Sequence, residues 1–383
     1  MIRALAHGGK HRIWSSARPD PSSILLVPFA DGIGDFVNML PIIRAVRERY
    51  PNSRLTVVAS QHARHLLTDS SINLVTPSWL RRESDPRLAR WRWLLSQRLV
   101  ASASWFGLRI ELGRFDLTIN LFKAWEHGVP FARDWTPQVP SRPGAVHTLD
   151  FLADHLAVWD VHLPLASRAP RLATRPEARA WAADAWERLS IGDRPVVGLV
   201  PASNMMIKQW PISAWARLND ALRRRGLQTV LFIPSPEHPY ARLLTLTEHP
   251  PVPITTDLPR VAAALERCRL VIGVDTGLLH MAAALGISYV GLFGPTNPDM
   301  TGPYDRTDGI CVVAPFAKIR QCGGCWKSFK YEDDRCHALS QGSCIGALDV
   351  SAVLRIVEAL LSRKAAVANA SPSGQSVRVR DRE

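Results

Sequence analysis

Apolar residues along the chain gather into short, mostly apolar runs, separated by longer stretches in which apolar and polar residues mix. Ile24–Val27, Leu55–Val58 and Leu117–Leu121 are such runs in the first half, with an amphipathic stretch from Asp35 to Tyr50 after the first. After Pro195 the pattern restarts: strand Val196–Val200, helix Ile212–Arg225, strand Thr229–Ile233, helix Leu258–Arg267, strand Leu270–Gly273, helix Gly277–Leu285 and strand Tyr289–Phe293. Strands that are apolar throughout belong to parallel sheets covered on both faces; a half-exposed sheet would alternate. Two such series, separated by the Pro- and Arg-containing stretch Arg168–Pro176, predict an α/β protein of two domains. The expected boundaries are an extension over 1–22, a first domain over 23–185, a second over 186–363 and a disordered basic tail over 364–383.

A length of 383 residues agrees with two domains, and 46 % hydrophobic residues rule out wholesale disorder. No unbroken apolar run approaches the roughly 18 residues of a membrane span; the best stretch, Leu270–Gly294, is interrupted by Asp275 and His280. The first residues carry Arg3, Lys10 and Arg12 with no apolar run behind them, unlike a secretory signal. Six cysteines, four of them near the end, do not form a secreted disulfide framework, so a reducing cytoplasm is expected.

The net charge of +13 points to an anionic partner: nucleic acid, a phosphorylated substrate or a membrane surface. Eight arginines fall between Arg81 and Arg114, interleaved with Trp91, Trp93 and Trp105. Leu88, Trp91, Leu95 and Leu99 recur at helical spacing there, which fits an amphipathic helix on anionic lipid and equally a solvated helix with an ordinary core stripe. No RNA- or DNA-binding motif accompanies the charge, so nucleic acid is not the expected partner.

Three clusters carry candidate chemistry, each at the carboxyl end of a predicted strand, where open α/β sheets bind ligands. Asp31-Gly32-Ile33-Gly34-Asp35 allows close backbone approach to a ligand, yet Val37 stands where a dinucleotide fingerprint needs its third glycine. Asp35 reads either as a carboxylate facing a helix dipole or as a general base. Pro201-Ala-Ser203-Asn204 with Lys208-Gln-Trp210-Pro211 offers small polar donors and a mobile cation, or else a solvated loop stapled by Trp210-Pro211. In Asp275-Thr276-Gly277-Leu278-Leu279-His280, Asp275 or Thr276 could cap the following helix. The same geometry makes an anion site of free backbone N–H groups, with His280 as an added donor. Gly294-Pro295-Thr296 could bring more backbone to the same place.

Gly34-Asp35 with Pro41 and Tyr50-Pro51, then Lys208-x-Trp210-Pro211, then Asp275-Thr276-Gly277-x-x-His280-x-Ala282-Ala283 with Leu292-Phe-Gly294-Pro295-Thr296, resemble in order and spacing the signatures of glycosyltransferase family 9, the ADP-heptose:lipopolysaccharide heptosyltransferases. The resemblance implies the GT-B fold, two Rossmann-like domains facing across a cleft, with the acceptor on the N-terminal side and the sugar nucleotide on the C-terminal side. It implies an inverting transfer of heptose from ADP-heptose to a lipopolysaccharide core sugar, at the inner membrane face and with no cofactor required. By it Asp35 corresponds to the catalytic base, and Ser203, Asn204 and Lys208 to the group around the leaving diphosphate. Thr276, Gly277 and His280 match the pyrophosphate loop, Asp275 a contact to the heptose hydroxyls, and Glu237 the acid that binds the ribose. Phe29 departs from the Lys or Arg common in the family six residues before the base.

Cys322-Gly-Gly-Cys325, Cys336 and Cys344 resemble a four-thiolate site for structural zinc or iron. They also resemble the protein O-heptosyltransferases that modify autotransporter adhesins, in which four cysteines hold an iron. A protein acceptor is therefore the alternative to lipopolysaccharide, and a nucleotide-binding module without transferase activity is the alternative outside the enzymes.

Overall fold

The computed structural model describes residues 20–28, 32–61, 63–76, 115–121, 146–192, 194–315 and 343–370. Two parallel sheets organise them, in agreement with the two apolar series. The first holds β1 (Ser23–Val27), β2 (Arg54–Val58), β3 (Asn73–Val75) and β4 (Leu117–Asn120) in the order β3-β2-β1-β4. Helix α1 (Ile33–Arg49) follows β1 and buries Phe36, Met39, Ile42, Ile43 and Val46 in a core shared with Ile24, Leu26, Leu55, Val57 and Ile119. The start of β1 is pinned across to β4 by one carboxylate. Oδ2 of Asp116 accepts from the backbone N–H and the hydroxyl of both Ser22 and Ser23 at 2.6–3.0 Å.

Two helices connect the sheets, α2 (Thr148–His155) and α3 (Pro176–Arg188). The second sheet holds β5 (Val196–Val200), β6 (Gln228–Phe232), β7 (Val252–Ile254), β8 (Leu270–Val274), β9 (Tyr289–Phe293) and β10 (Gly309–Val313), all parallel, in the order β10-β9-β8-β5-β6-β7. Around it lie α4 (Ile212–Arg224), α5 (Leu258–Glu266), α6 (Gly277–Ala284) and α7 (Val350–Ala370). Every residue of β5, β6, β8 and β9 is buried, which is why these strands read as continuous apolar runs.

The divergences from expectation have local causes. β3, β7 and β10 are edge strands, short or only half buried, and β7 carries Pro253. Neither β3 nor β7 makes an apolar run, whereas β10, Ile310-Cys-Val-Val313, does and was not expected. The boundary drawn at 185 falls inside α3, which packs on α5 of the second sheet: Ala178 and Ala182 meet Ala263, small side chains that let the helices approach closely. Arg260 over the Trp181 ring (5.5 Å) and Arg267 over Trp186 (5.3 Å) flank this contact. The tail expected from 364 also begins too early, because α7 continues to Ala370. Residues 371–383, the extension before residue 20 and the Arg81–Arg114 stretch lie outside the described residues. Among the described residues no helix is long and apolar enough to cross a membrane.

Ala182 has no exposed surface and no room to grow. Ala182→Leu is expected to destabilise by about 1–3 kcal/mol through overpacking, seen as a lower urea midpoint with an unchanged slope.

Candidate active site

The order of the second sheet reverses between β5 and β8, and the crevice beyond the carboxyl ends of strands at such a point is where a ligand can enter an open sheet. Three loops converge there, from β5, β8 and β9. Asp275 ends β8 and is buried, 6 % exposed. Its Oδ2 accepts from Nζ of Lys208, in the loop after β5, at 2.8 Å, and from the hydroxyl of Thr296, in the turn after β9, also at 2.8 Å. Because β8 lies between β9 and β5, one carboxylate reaches both neighbours. Burial pushes the Asp275 carboxyl up; the charge of Lys208 and the proximity of His280 outweigh it and hold the group well below the usual carboxylate range.

Lys208 is placed by its own loop. Two residues on, Trp210 is fully buried, stacks edge-on against Trp215 of α4 at 5.4 Å, and donates from Nε1 to the Leu348 carbonyl. Its own carbonyl accepts from the Tyr240 hydroxyl. The Trp-Pro staple is therefore present, and it anchors the base of the loop that carries Lys208 rather than replacing a functional role.

Helix α6 starts at this crevice. Its N-cap Thr276 makes no side-chain cap hydrogen bond, whereas α2 and α5 are closed by the side chains of His147 and Asp257. Asp275 spends Oδ2 elsewhere. The capping alternative for Asp275 and Thr276 is therefore not what the geometry shows; the Leu279 N–H bonds the Thr276 carbonyl at 3.1 Å, and the positive dipole end with the N–H groups ahead of it suits an anion. His280, one turn in, is 6 % exposed; its Nε2 stands 3.8 Å from Oδ1 of Asp275, and its buried Nδ1 has no hydrogen-bond partner among the described residues. An unsatisfied buried ring nitrogen beside an uncapped helix end suits a ligand acceptor.

The N-terminal half meets this crevice through glycines. A Cβ at Gly277 would lie 2.6 Å from Cβ of Ile33 and 3.1 Å from the Gly34 nitrogen. A Cβ at Gly34 would lie 2.8 Å from Cδ2 of the His280 ring. The N-termini of α1 and α6 thus face each other in van der Waals contact, which no larger residue at either glycine permits. Asp35 is the third residue of α1, half-buried, with Oδ2 folded back close over Gly32. The dipole-facing and functional readings of Asp35 share this one geometry: a carboxylate at a helix start, about one residue from the His280 contact.

The remaining expected residues are less engaged. Ser203 braces its own loop, its hydroxyl accepting from the Met205 N–H and its carbonyl from the Gln209 amide. Asn204 is exposed beside it. Glu237 is exposed in the loop after β6, and no hydrogen bond among the described residues ties it to the cluster. Phe29, Asp31, Cys322, Cys325 and Cys336 lie outside the described residues. Cys344 is buried, with Sγ where a Cβ on Gly294 would lie 3.1 Å away. Two further side chains belong to the site. The sequence offers Thr296 only as part of a backbone turn, whereas its hydroxyl reaches Asp275. His147, buried and held neutral by burial, takes the Leu149 N–H on Nδ1 and donates from Nε2 to the Gly302 carbonyl, tying α2 to the turn beyond Thr296.

The model of the family described as glycosyltransferase family 9 (heptosyltransferase) matches residues 121–324, just over half of the chain. The chain belongs to glycosyltransferase family 9. The match covers the cluster around Asp275 and stops short of Gly32, Gly34 and Asp35. The chain is 29 % identical over 138 residues to lipopolysaccharide heptosyltransferase 2 of Salmonella typhimurium strain LT2, covering 34 % of this chain and 40 % of that protein. It is 24 % identical over 312 residues to lipopolysaccharide heptosyltransferase 1 of Escherichia coli K12, covering 75 % and 92 %. The first of these alignments therefore spans less than half the length of the relative. Among solved structures, a family 9 glycosyltransferase from Veillonella parvula DSM 2008 superposes with a TM-score of 0.67 at 20 % identity, over 91 % of this chain and all of that one. The fold is accordingly the GT-B arrangement that the family resemblance implied.

Lys208→Met leaves the buried Asp275 carboxylate without its cation and is expected to cost about 3–5 kcal/mol at neutral pH. In the unsubstituted protein the folded carboxyl is depressed below its unfolded value of about 3.9. The stability it adds is complete above that pH and is lost as pH falls toward the folded value. Urea midpoints across acid and neutral pH check both statements; equal midpoints for the two proteins at neutral pH would contradict them.

Proposed function

We propose that this chain transfers heptose from ADP-heptose to a sugar hydroxyl of the lipopolysaccharide inner core, with inversion at the anomeric carbon. The observation that carries the reading is the abutment of α1 on α6. It sets the Asp35 carboxylate and the uncapped N-terminus of α6 on two sides of one crevice. In the transfer, Asp35 takes the proton of the acceptor hydroxyl as that oxygen attacks the anomeric carbon. The bond from that carbon to the diphosphate oxygen breaks, and the ADP leaves with the added negative charge. The N–H groups of Thr276, Gly277 and the first turn of α6, together with Lys208 and His280, are fixed donors where that charge develops, the arrangement that stabilises an anionic leaving group. Ser203 and Asn204 border the same loop, and Glu237, at the end of β6, is the acid on the nucleoside side.

A lipid-linked acceptor fits an enzyme working against the cytoplasmic face of the inner membrane, with the net charge of +13 as the attraction. The relatives with lipopolysaccharide in their names support the acceptor. A protein hydroxyl is the alternative acceptor.

Two measurements test the reading. Thermal unfolding with ADP, ADP-heptose, UDP-sugars and GDP-sugars is expected to show stabilisation by the adenine nucleotides, about 2.7 kcal/mol at a hundredfold excess over Kd. A response confined to UDP- or GDP-sugars overturns the donor. Asp35→Ala is expected to lower kcat by about 10²–10⁴ with ADP binding retained, and a fully active variant would remove Asp35 as the base. Product analysis on heptose-free lipopolysaccharide core and on protein acceptors decides between the two acceptors.

A further inference from the structure

Lys208 faces two demands. Its ammonium is 2.8 Å from Oδ2 of Asp275, and the leaving diphosphate needs the same cation. A lysine that turned wholly to phosphate would leave a carboxylate 6 % exposed without its charge partner, a state that buried ion pairs resist strongly. The second donor to that same oxygen is Thr296, itself 2 % exposed and 2.8 Å away. Its hydroxyl is fixed rather than mobile. The turn that carries it follows Gly294, which is packed against Ile345 and Cys344, and the next turn is tied to α2 through Thr148 and His147.

We propose that Thr296 is a positioning residue for the donor diphosphate: its hydroxyl holds Asp275 while Lys208 shifts from the carboxylate to the phosphates. This rests on the transferase reading above and extends it to a residue that touches neither sugar nor phosphate. Thr296 keeps one hydrogen bond on Oδ2 throughout, and His280 stands over Oδ1. When Lys208 moves, Asp275 loses its cation but keeps the Thr296 hydrogen bond, so the carboxylate is not left bare of donors and the shift costs less than it would without the hydroxyl. Without the hydroxyl, Asp275 retains Lys208 more tightly, and the diphosphate competes for it at a disadvantage.

Calorimetric titration of ADP and AMP into the full chain and its variants tests this. Thr296→Val is expected to weaken ADP binding about tenfold, the scale of one hydrogen bond to a charged group, and AMP, lacking the second phosphate, by less than about twofold. Thr296→Ser should restore ADP binding, and Thr296→Cys, a weak donor of similar size, should fall between; this series stands if the valine variant does not fold. In an Asp275→Asn background, Thr296→Val should cost nothing further. Unchanged ADP affinity in Thr296→Val overturns the proposal and leaves the transferase reading intact. An equal loss for AMP, or an equal loss in the Asp275→Asn background, also overturns it. If the unsubstituted chain fails to bind ADP at all, the donor reading falls and the proposal falls with it.

Discussion

A single buried carboxylate holds the crevice of the second sheet together. Asp275 draws Lys208 and Thr296 to one oxygen and so ties the ends of three adjacent strands. The cost of burying its charge is met by the charge of a partly buried Lys208 and a buried Thr296 hydroxyl; without them desolvation would neutralise the group. The uncapped start of α6 depends on the same economy of donors and acceptors. With Oδ2 of Asp275 engaged sideways, it is not available to close the helix above it, and the N–H groups there face the crevice. A structural ion pair and a helix start left without a side-chain cap are two outcomes of one placement.

The strands that make this possible were legible because they are buried on both faces. Val196–Val200 and Tyr289–Phe293 coincide with the expected limits, and the remaining expected strands differ by one residue at one end or, for β6, at both. Helix α3 was not legible. Its contact with α5 is made by alanines, which leave no strong apolar stripe, and its tryptophans are covered by arginines from another helix. The edge strands β3 and β7 were missed because three residues each, one set interrupted by Pro253, make no apolar run.

At the site, position was legible and partnership was not. Strand-end placement marked Asp35, Lys208, Asp275 and His280. Nothing in the spacing could show that Lys208, 67 residues before Asp275, and Thr296, 21 after, share one oxygen, because that follows from the strand order. Thr296 in particular follows a Gly-Pro turn, where a polar side chain is ordinary. The signal that could have found it is a buried hydroxyl at the end of the strand beside Asp275. Glu237 shows the reverse case. Its strand-end position is as expected, but β6 lies beyond β5, away from the carboxylate that organises the rest.

The glycine contact between α1 and α6 makes the two halves a matched pair rather than interchangeable modules. Ile33 and Gly34 on one side are fitted to Gly277 and His280 on the other with less than a methyl group to spare. A chimera that joined this N-terminal half to the C-terminal half of another protein would have to carry those four positions across as one set. The natural unit of exchange in this molecule is therefore the junction itself, and a cut placed in the chain between the halves divides it.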